Sequence, residues 1–194
     1  MRDENQVIRY LKCETKSGFA AFFLSLNKAW GRKVKFYVVS DRYITFLKTI
    51  DNKVPDNYQG TRPFIGIVIS VNGVDYVAPL SSPKPHLLKI DNSKASCFKL
   101  FNRKDPSEFL GVINLNYMIP YMESEVSLLP IATLDKKYQN LIYKQYEFIK
   151  QNKVEIQHRA NKLHDLVRIK KQDHFVSISC NFDALEQNLG SFTP

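Results

Sequence analysis

The sequence predicts an α+β fold: a compact, mainly antiparallel sheet with one short early helix, and further helices packed on it from the C-terminal third. Three observations predict it. Short apolar runs, each bounded by turn residues, recur between residues 34 and 130. Asn72-Gly73 separates two of them and is the strongest short hairpin signal a sequence offers. Beyond residue 138 the apolar spacing lengthens to the helical period.

In order, VKFYVV (34–39) reads as a strand, and Ser40 then supplies an N-cap. DRYITFLKTI (41–50) follows as a helix, with Tyr43, Ile44, Leu47 and Ile50 on one stripe. DNKVPDNYQGTR (51–62) is a polar loop broken by Pro55 and Gly60. FIGIVISV (64–71) and VDYVAPL (74–80) form the hairpin around Asn72-Gly73. SCFKLF (96–101) and FLGVINL (109–115) read as a second strand pair, with Pro106 breaking the loop between them, and EVSLLP (125–130) as a further short strand. Helices are expected over 138–149, with Leu141, Ile142, Gln145, Phe148 and Ile149 on one face, and over 161–169, with Leu163, Leu166 and Val167.

A chain of 194 residues suits one domain with a sizeable core. Its net charge of +9 favours a polyanionic partner over a neutral one. Cys13, Cys97 and Cys180 show no CxxC spacing and are odd in number, which fits reduced cytoplasmic thiols better than a disulfide framework or a zinc site. His86, His158, His164 and His174 never fall at the i, i+4 spacing of paired metal ligands. No metal centre, cofactor or membrane-spanning helix is therefore expected.

The run DYVAPLSSPK (75–84) ends a strand on two hydroxyls and an ammonium: Ser81, Ser82 and Lys84. Serine and proline close strands routinely, because serine bonds nearby backbone and proline presets φ, so the motif alone reads first as a plain turn.

The ordered segments VKFYVVSDRYITFLKTIDNKVP, YQGTRPFIGIV, YVAPLSSPK, SCFKL, LGVINLNYMIP, EVSLL and YKQYEFI together resemble the ToxN/AbiQ family, the RNase toxins of type III toxin–antitoxin and abortive-infection systems. The resemblance runs from Val34 to Phe182. It implies a strongly bent antiparallel sheet or barrel similar to that of the MazF/Kid/CcdB toxins. It also implies an active site around (Thr/Ser)-Ser-Pro-Lys, matched here by Ser81, Ser82 and Lys84, with a tyrosine and a basic residue from the preceding loop, matched by Tyr58 and Arg62. Arg62 stands where a well-known member has lysine. Arginine clamps phosphate well but does not give up a proton, so a general-base role at this position is doubtful.

The implied reaction is metal-independent cleavage of RNA, A-rich by expectation, through attack of a ribose 2′-OH on the adjacent phosphorus. The products are a 2′,3′-cyclic phosphate and a 5′-OH. Lys84 and Arg62 offer fixed cations for the charge that builds on the phosphoryl oxygens. The base is either Ser82, activated by a cationic neighbour, or Lys84 itself with a depressed pKa; the sequence leaves both open. Tyr58 stacks on a base, donates to phosphate, or is a plain surface tyrosine. Tyr43, Lys48, Lys53, His86, Lys89 and Lys94 complete the RNA-contact candidates, and Lys99 is a further phosphate candidate; for any single lysine a solvated charge is the ordinary alternative.

The implied partners are substrate mRNA and a structured antitoxin RNA cut from tandem repeats, assembled with the toxin into a cytoplasmic hetero-oligomer. Two other classes share the charge or the sheet: a non-catalytic RNA-binding repressor, and a CcdB-like toxin acting on a protein.

Residues 1–33 are expected to lie outside the toxin domain, which is placed at 34–194. Relatives begin with methionine where Val34 stands, and GTG encodes valine internally yet also starts bacterial genes. KSGFAAFFL (16–24) back-translates, with chosen codons, into an inverted repeat followed by a T tract, the form of a transcription terminator. A real apolar docking helix around residues 19–26 is the alternative.

Overall fold

The computed structural model describes residues 34–56, 64–91 and 94–193. Strand β1 (Phe36–Val39) leads through Ser40 into helix α1 (Asp41–Ile50), whose first turn is capped by the Ser40 hydroxyl accepting from the Tyr43 N–H at 3.3 Å. β2 (Phe64–Val71) and β3 (Val74–Ser81) form the expected hairpin. Its turn residues, Asn72 and Gly73, both have positive φ (49° and 89°), the type I′ geometry that Asn-Gly favours. Then come α2 (Pro85–Leu88), β4 (Cys97–Phe101), β5 (Phe109–Asn114), β6 (Ile119–Pro120) and β7 (Val126–Leu128). The tail carries α3 (Lys136–Gln151), α4 (Lys153–Arg168), α5 (Asp173–Ile178) and α6 (Phe182–Gln187).

Every strand pair is antiparallel, and the order across the sheet is β4-β5-β3-β2-β1-β7, with β6 also on β3. β3 is the central strand. One edge pairs with β2 from Val74 to Pro79; the other pairs with β6 at Tyr76 and Val77, then with β5 at Leu80 and Ser81. The interruption between β5 and β6 is a 3-10 turn over Leu115–Tyr117, which bends that side of the sheet.

The expectation of a barrel is corrected here. The path is open: among the described residues β4 and β7, at its two ends, each pair with a single neighbour and not with each other. Closure needs terminal strands long enough to meet at a fixed stagger, and β7 offers three residues. The bent sheet with flanking helices stands; the closed core does not.

The core draws Tyr43, Ile44 and Leu47 from α1, Ile67 and Ile69 from β2, Tyr76 from β3, Ile113 from β5, and Ile142, Ile149, Ile156 and Leu163 from α3 and α4. Two polar networks lock this packing. Glu125, enclosed just before β7, accepts from the Ser40 hydroxyl and, bidentately, from Arg42 at 2.6 and 2.8 Å, and these donors hold its carboxyl below the ordinary range. On the far side, buried His164 of α4 sits between the Asn72 amide (3.0 Å) and the Arg168 guanidinium (3.1 Å). Arg168 also reaches both Glu186 oxygens at 2.9 Å, and the Tyr76 hydroxyl donates to the same carboxylate. Burial first, and then the Arg168 charge, push the His164 pKa below its usual 6.5.

Candidate active site

The sequence Ser82-Pro83-Lys84-Pro85 sets its own local geometry. A residue before proline is driven out of the helical region into extended backbone, and both Ser82 and Lys84 precede prolines. Lys84 shows the result, with φ −138° and ψ 142°. Ser82 and Lys84 thus stand two residues apart on an extended exit from β3 that the two prolines hold out of the helical region. Pro85 then opens the one-turn helix α2, where the Leu87 N–H donates to the Lys84 carbonyl at 3.0 Å.

Ser81, one residue out of phase, is held by the sheet. Its backbone pairs with Val112, and its hydroxyl accepts from the Asn114 amide at 2.8 Å. Ser82 and Lys84 are exposed and, among the described residues, neither side chain has a hydrogen bond or ion pair. A hydroxyl and a cation without internal commitments therefore stand at the end of the central strand. Gly111 of β5 permits this arrangement: its φ is +112°, and a Cβ there would lie 2.1 Å from the Ser81 carbonyl oxygen and 3.2 Å from the Ser82 carbonyl carbon. Only glycine lets β5 approach so closely. Asn114 and Gly111 are the residues that sequence reading missed; a glycine inside the FLGVINL strand was the available signal.

Tyr58 and Arg62 lie outside the described residues. The strand that continues from that segment enters the sheet at Phe64, and its Gly66 pairs with Pro79, two residues before Ser81. β2 thus begins beside the end at which β3 leaves.

The other candidates divide. His86, in the first turn of α2, and Lys89 and Lys94 are exposed near the motif in sequence, and Lys99 donates to the Leu88 carbonyl at 2.7 Å, which fastens α2 to β4. Lys48 pairs with Asp56. Lys53 donates to the carbonyls of Val176 (2.8 Å) and Ser179 (3.0 Å), so its ammonium pins the loop after α1 to α5. Tyr43 is corrected as an RNA contact: its side chain is fully buried, its ring stacks on Phe46 and meets Phe192 edge-on, and its hydroxyl donates to the Pro120 carbonyl at 3.0 Å. Helical spacing had already placed it on the apolar stripe, and packing against β6 decides the matter. Among the described residues no helix is long and apolar enough to cross a membrane, and no group of three or more His, Cys, Asp or Glu gathers as a metal site.

A family profile described as toxin ToxN, type III toxin–antitoxin system, matches residues 35–190. The chain belongs to that family. It is 40% identical to the endoribonuclease ToxN of Pectobacterium atrosepticum over 164 residues, covering 82% of this chain and 94% of the relative. Among solved structures, one from work on a processed non-coding RNA that regulates a bacterial antiviral system superposes with a TM-score of 0.73 at 38% identity, covering 82% of this chain and 99% of the other. Another, from work on selective toxin inhibition by a non-coding RNA pseudoknot, gives 0.71 at 29% identity, covering 82% and 98%. Ser81, Ser82 and Lys84 thus sit at one end of the sheet in a chain from a family of type III toxin–antitoxin endoribonucleases.

Proposed function

We propose that this chain is a toxin that cuts RNA at the Ser82–Lys84 corner, with Tyr58 and Arg62 completing the site, and that a structured antitoxin RNA occupies the same corner to silence it. The observation that carries the reading is a pair of exposed side chains at the end of the central strand, the Ser82 hydroxyl and the Lys84 ammonium, which have no hydrogen bond or ion pair among the described residues. The entry of β2 beside this corner supports the participation of the segment before it.

In the reaction, the 2′-OH of the upstream ribose loses its proton and its oxygen attacks phosphorus. The P–O5′ bond breaks and the departing O5′ takes up one proton, balancing the one that the 2′-OH gave to the base, Ser82 or Lys84, so the ends are a 2′,3′-cyclic phosphate and a 5′-OH. Lys84 and Arg62 balance the charge that develops on the non-bridging oxygens. Ser82 hydrogen-bonds the reacting 2′-OH or the phosphate, and Ser81, held by Asn114, fixes the strand end from which Ser82 projects. Arg62 serves as a bidentate clamp, because its guanidinium keeps its proton. Fixed cations do the electrostatic work here, so the cut proceeds in a chelator. The activity belongs to residues 34–194.

The RNA partner follows from charge and kinship. A chain of net charge +9, of which residues 34–194 carry +5, gains affinity from counterion release on a polyanion. A relative of the same fold was solved in work on selective toxin inhibition by an RNA pseudoknot. Incubating the purified protein with A-rich RNA in EDTA and analysing the ends tests the reading. Cyclic-phosphate ends that disappear in Lys84→Ala support it, with a loss of about 10²–10³ in rate for one such donor. Bound but intact RNA would instead make the protein a repressor.

A further inference from the structure

Beside the Ser82–Lys84 corner the surface opens into a cavity of about 510 Å³, and Pro83, the residue between the two reactive groups, forms part of its wall. The opposite wall is α3. The Gln145 amide fixes that helix to β5 by donating to the Leu110 carbonyl at 2.7 Å inside the core. Phe109, Tyr138 and Leu141 supply flat and apolar lining. Glu108 faces the same space as a committed carboxylate: Lys144 reaches its two oxygens at 2.6 and 2.8 Å, and the Asn102 amide donates to it at 2.6 Å. Asn140 adds an amide on the exposed face of α3.

We propose that this cavity receives the base of one nucleotide flanking the scissile phosphodiester, and that it selects a purine whose amino edge meets Glu108 and Asn140. The inference rests on the reading of Ser82 and Lys84 given above. A phosphate does not suit the space, because Glu108 and Asp135 would face it with negative charge. A neutral planar ring does: it takes the faces of Phe109 and Tyr138, as bases do on aromatic side chains in single-strand binding. A carboxylate only accepts hydrogen bonds, so it favours the bases that present an amino group, adenine, guanine and cytosine, over uracil, whose edge presents two carbonyls and a single N–H; among the three, stacking on aromatic lining favours the larger purines. The amide of Asn140 matches the donor–acceptor edge of adenine. Lys137, exposed on the same helix, suits a phosphate next to the inserted base.

A pool of random-sequence RNA, digested and sequenced at its new ends, reads the preference at every position around the cut. The wild type is expected to favour a purine over uridine by about 10-fold at one position next to the cut. Leu141→Trp, which fills the cavity, and Asn140→Ala, on the exposed helix face, are expected to reduce that single preference to about 2-fold or less and to leave preferences elsewhere unchanged. Should Leu141→Trp fail to fold, Asn140→Ala decides alone. A wild type with no purine preference beside the cut, or variants that keep it, overturns the base pocket. Lys84→Ala separates the two ideas: if it abolishes all new ends while the pocket variants behave as wild type, only the pocket is wrong, and if it cuts like wild type the cleavage site itself is misassigned.

Discussion

Gly111→Ala is the sharpest test of how the sheet builds the site. The added Cβ would stand 2.1 Å from the Ser81 carbonyl oxygen, where a carbon–oxygen contact relaxes near 3.3 Å. β5 and β3 must therefore part by ~1 Å at this point. That opening falls on the Leu80–Ile113 and Ser81–Val112 pairs, which are the whole β3–β5 ladder. Loosening their hydrogen bonds costs about 0.5–1.5 kcal/mol each. Holding alanine at φ +112° adds strain of about 1–3 kcal/mol. A stability loss of roughly 2–6 kcal/mol results, a large part of the 5–15 kcal/mol typical of a domain. In the proposed site the same shift moves Ser82 and Lys84 relative to the phosphate they would hold, and a ~1 Å misplacement costs about 10² in rate. Urea unfolding followed by circular dichroism measures the first quantity, and single-turnover cleavage, at a temperature where the variant is folded, measures the second. A variant within ~0.5 kcal/mol of wild type that cuts at the wild-type rate would refute the argument, since a surface-like effect of that size means the strands were never so close.

Asn114→Ala removes the donor to Ser81 and is expected to slow cleavage by about 10-fold with KM little changed, because the amide acts by positioning the strand end; steady-state kinetics separate the two parameters. Lys53→Met should leave cleavage intact yet cost about 1–3 kcal/mol in urea unfolding, since its ammonium is spent on two backbone carbonyls of the same chain. His164 is held neutral, with its folded-state pKa below the usual 6.5, so the unfolded chain binds the extra proton more readily. Its contribution is present in full above pH 6.5 and is lost as pH falls from there through the folded-state pKa; stability measured across that window should decline in wild type and decline less in His164→Gln.

Most of the sheet was legible because its signals are local. The Asn-Gly turn and the two apolar runs beside it define β2 residue for residue and β3 up to its last residue, Ser81, and Ser40 marks the start of α1 at Asp41. The tail helices were found but drawn short: α4 begins at Lys153, well before the expected residue 161, because Ile156 and Ala160 extend its apolar face along β2. β6, two residues long, and the one-turn helix α2 carry no periodic pattern to read. The barrel expectation came from kinship and not from periodicity, and pairing between sequence-distant edges is what a linear pattern cannot report. The same limit explains the site. Ser82 and Lys84 stand in one short motif, whereas Asn114 and Gly111 join them only through the β3–β5 register. Tyr43 shows the converse: its helical spacing already spoke for the core, and its burial there overrides its place among the RNA-contact candidates.

The most direct test of the central claim is the structure of the protein bound to an RNA whose cut position carries a 2′-deoxyribose, so that the nucleophile is missing and the strand stays whole. The phosphate following that sugar is expected within hydrogen-bonding distance of the Lys84 ammonium and the Arg62 guanidinium, with the Ser82 hydroxyl facing the 2′ carbon. A scissile phosphate held anywhere else, with Lys84 left in solvent, would contradict the account.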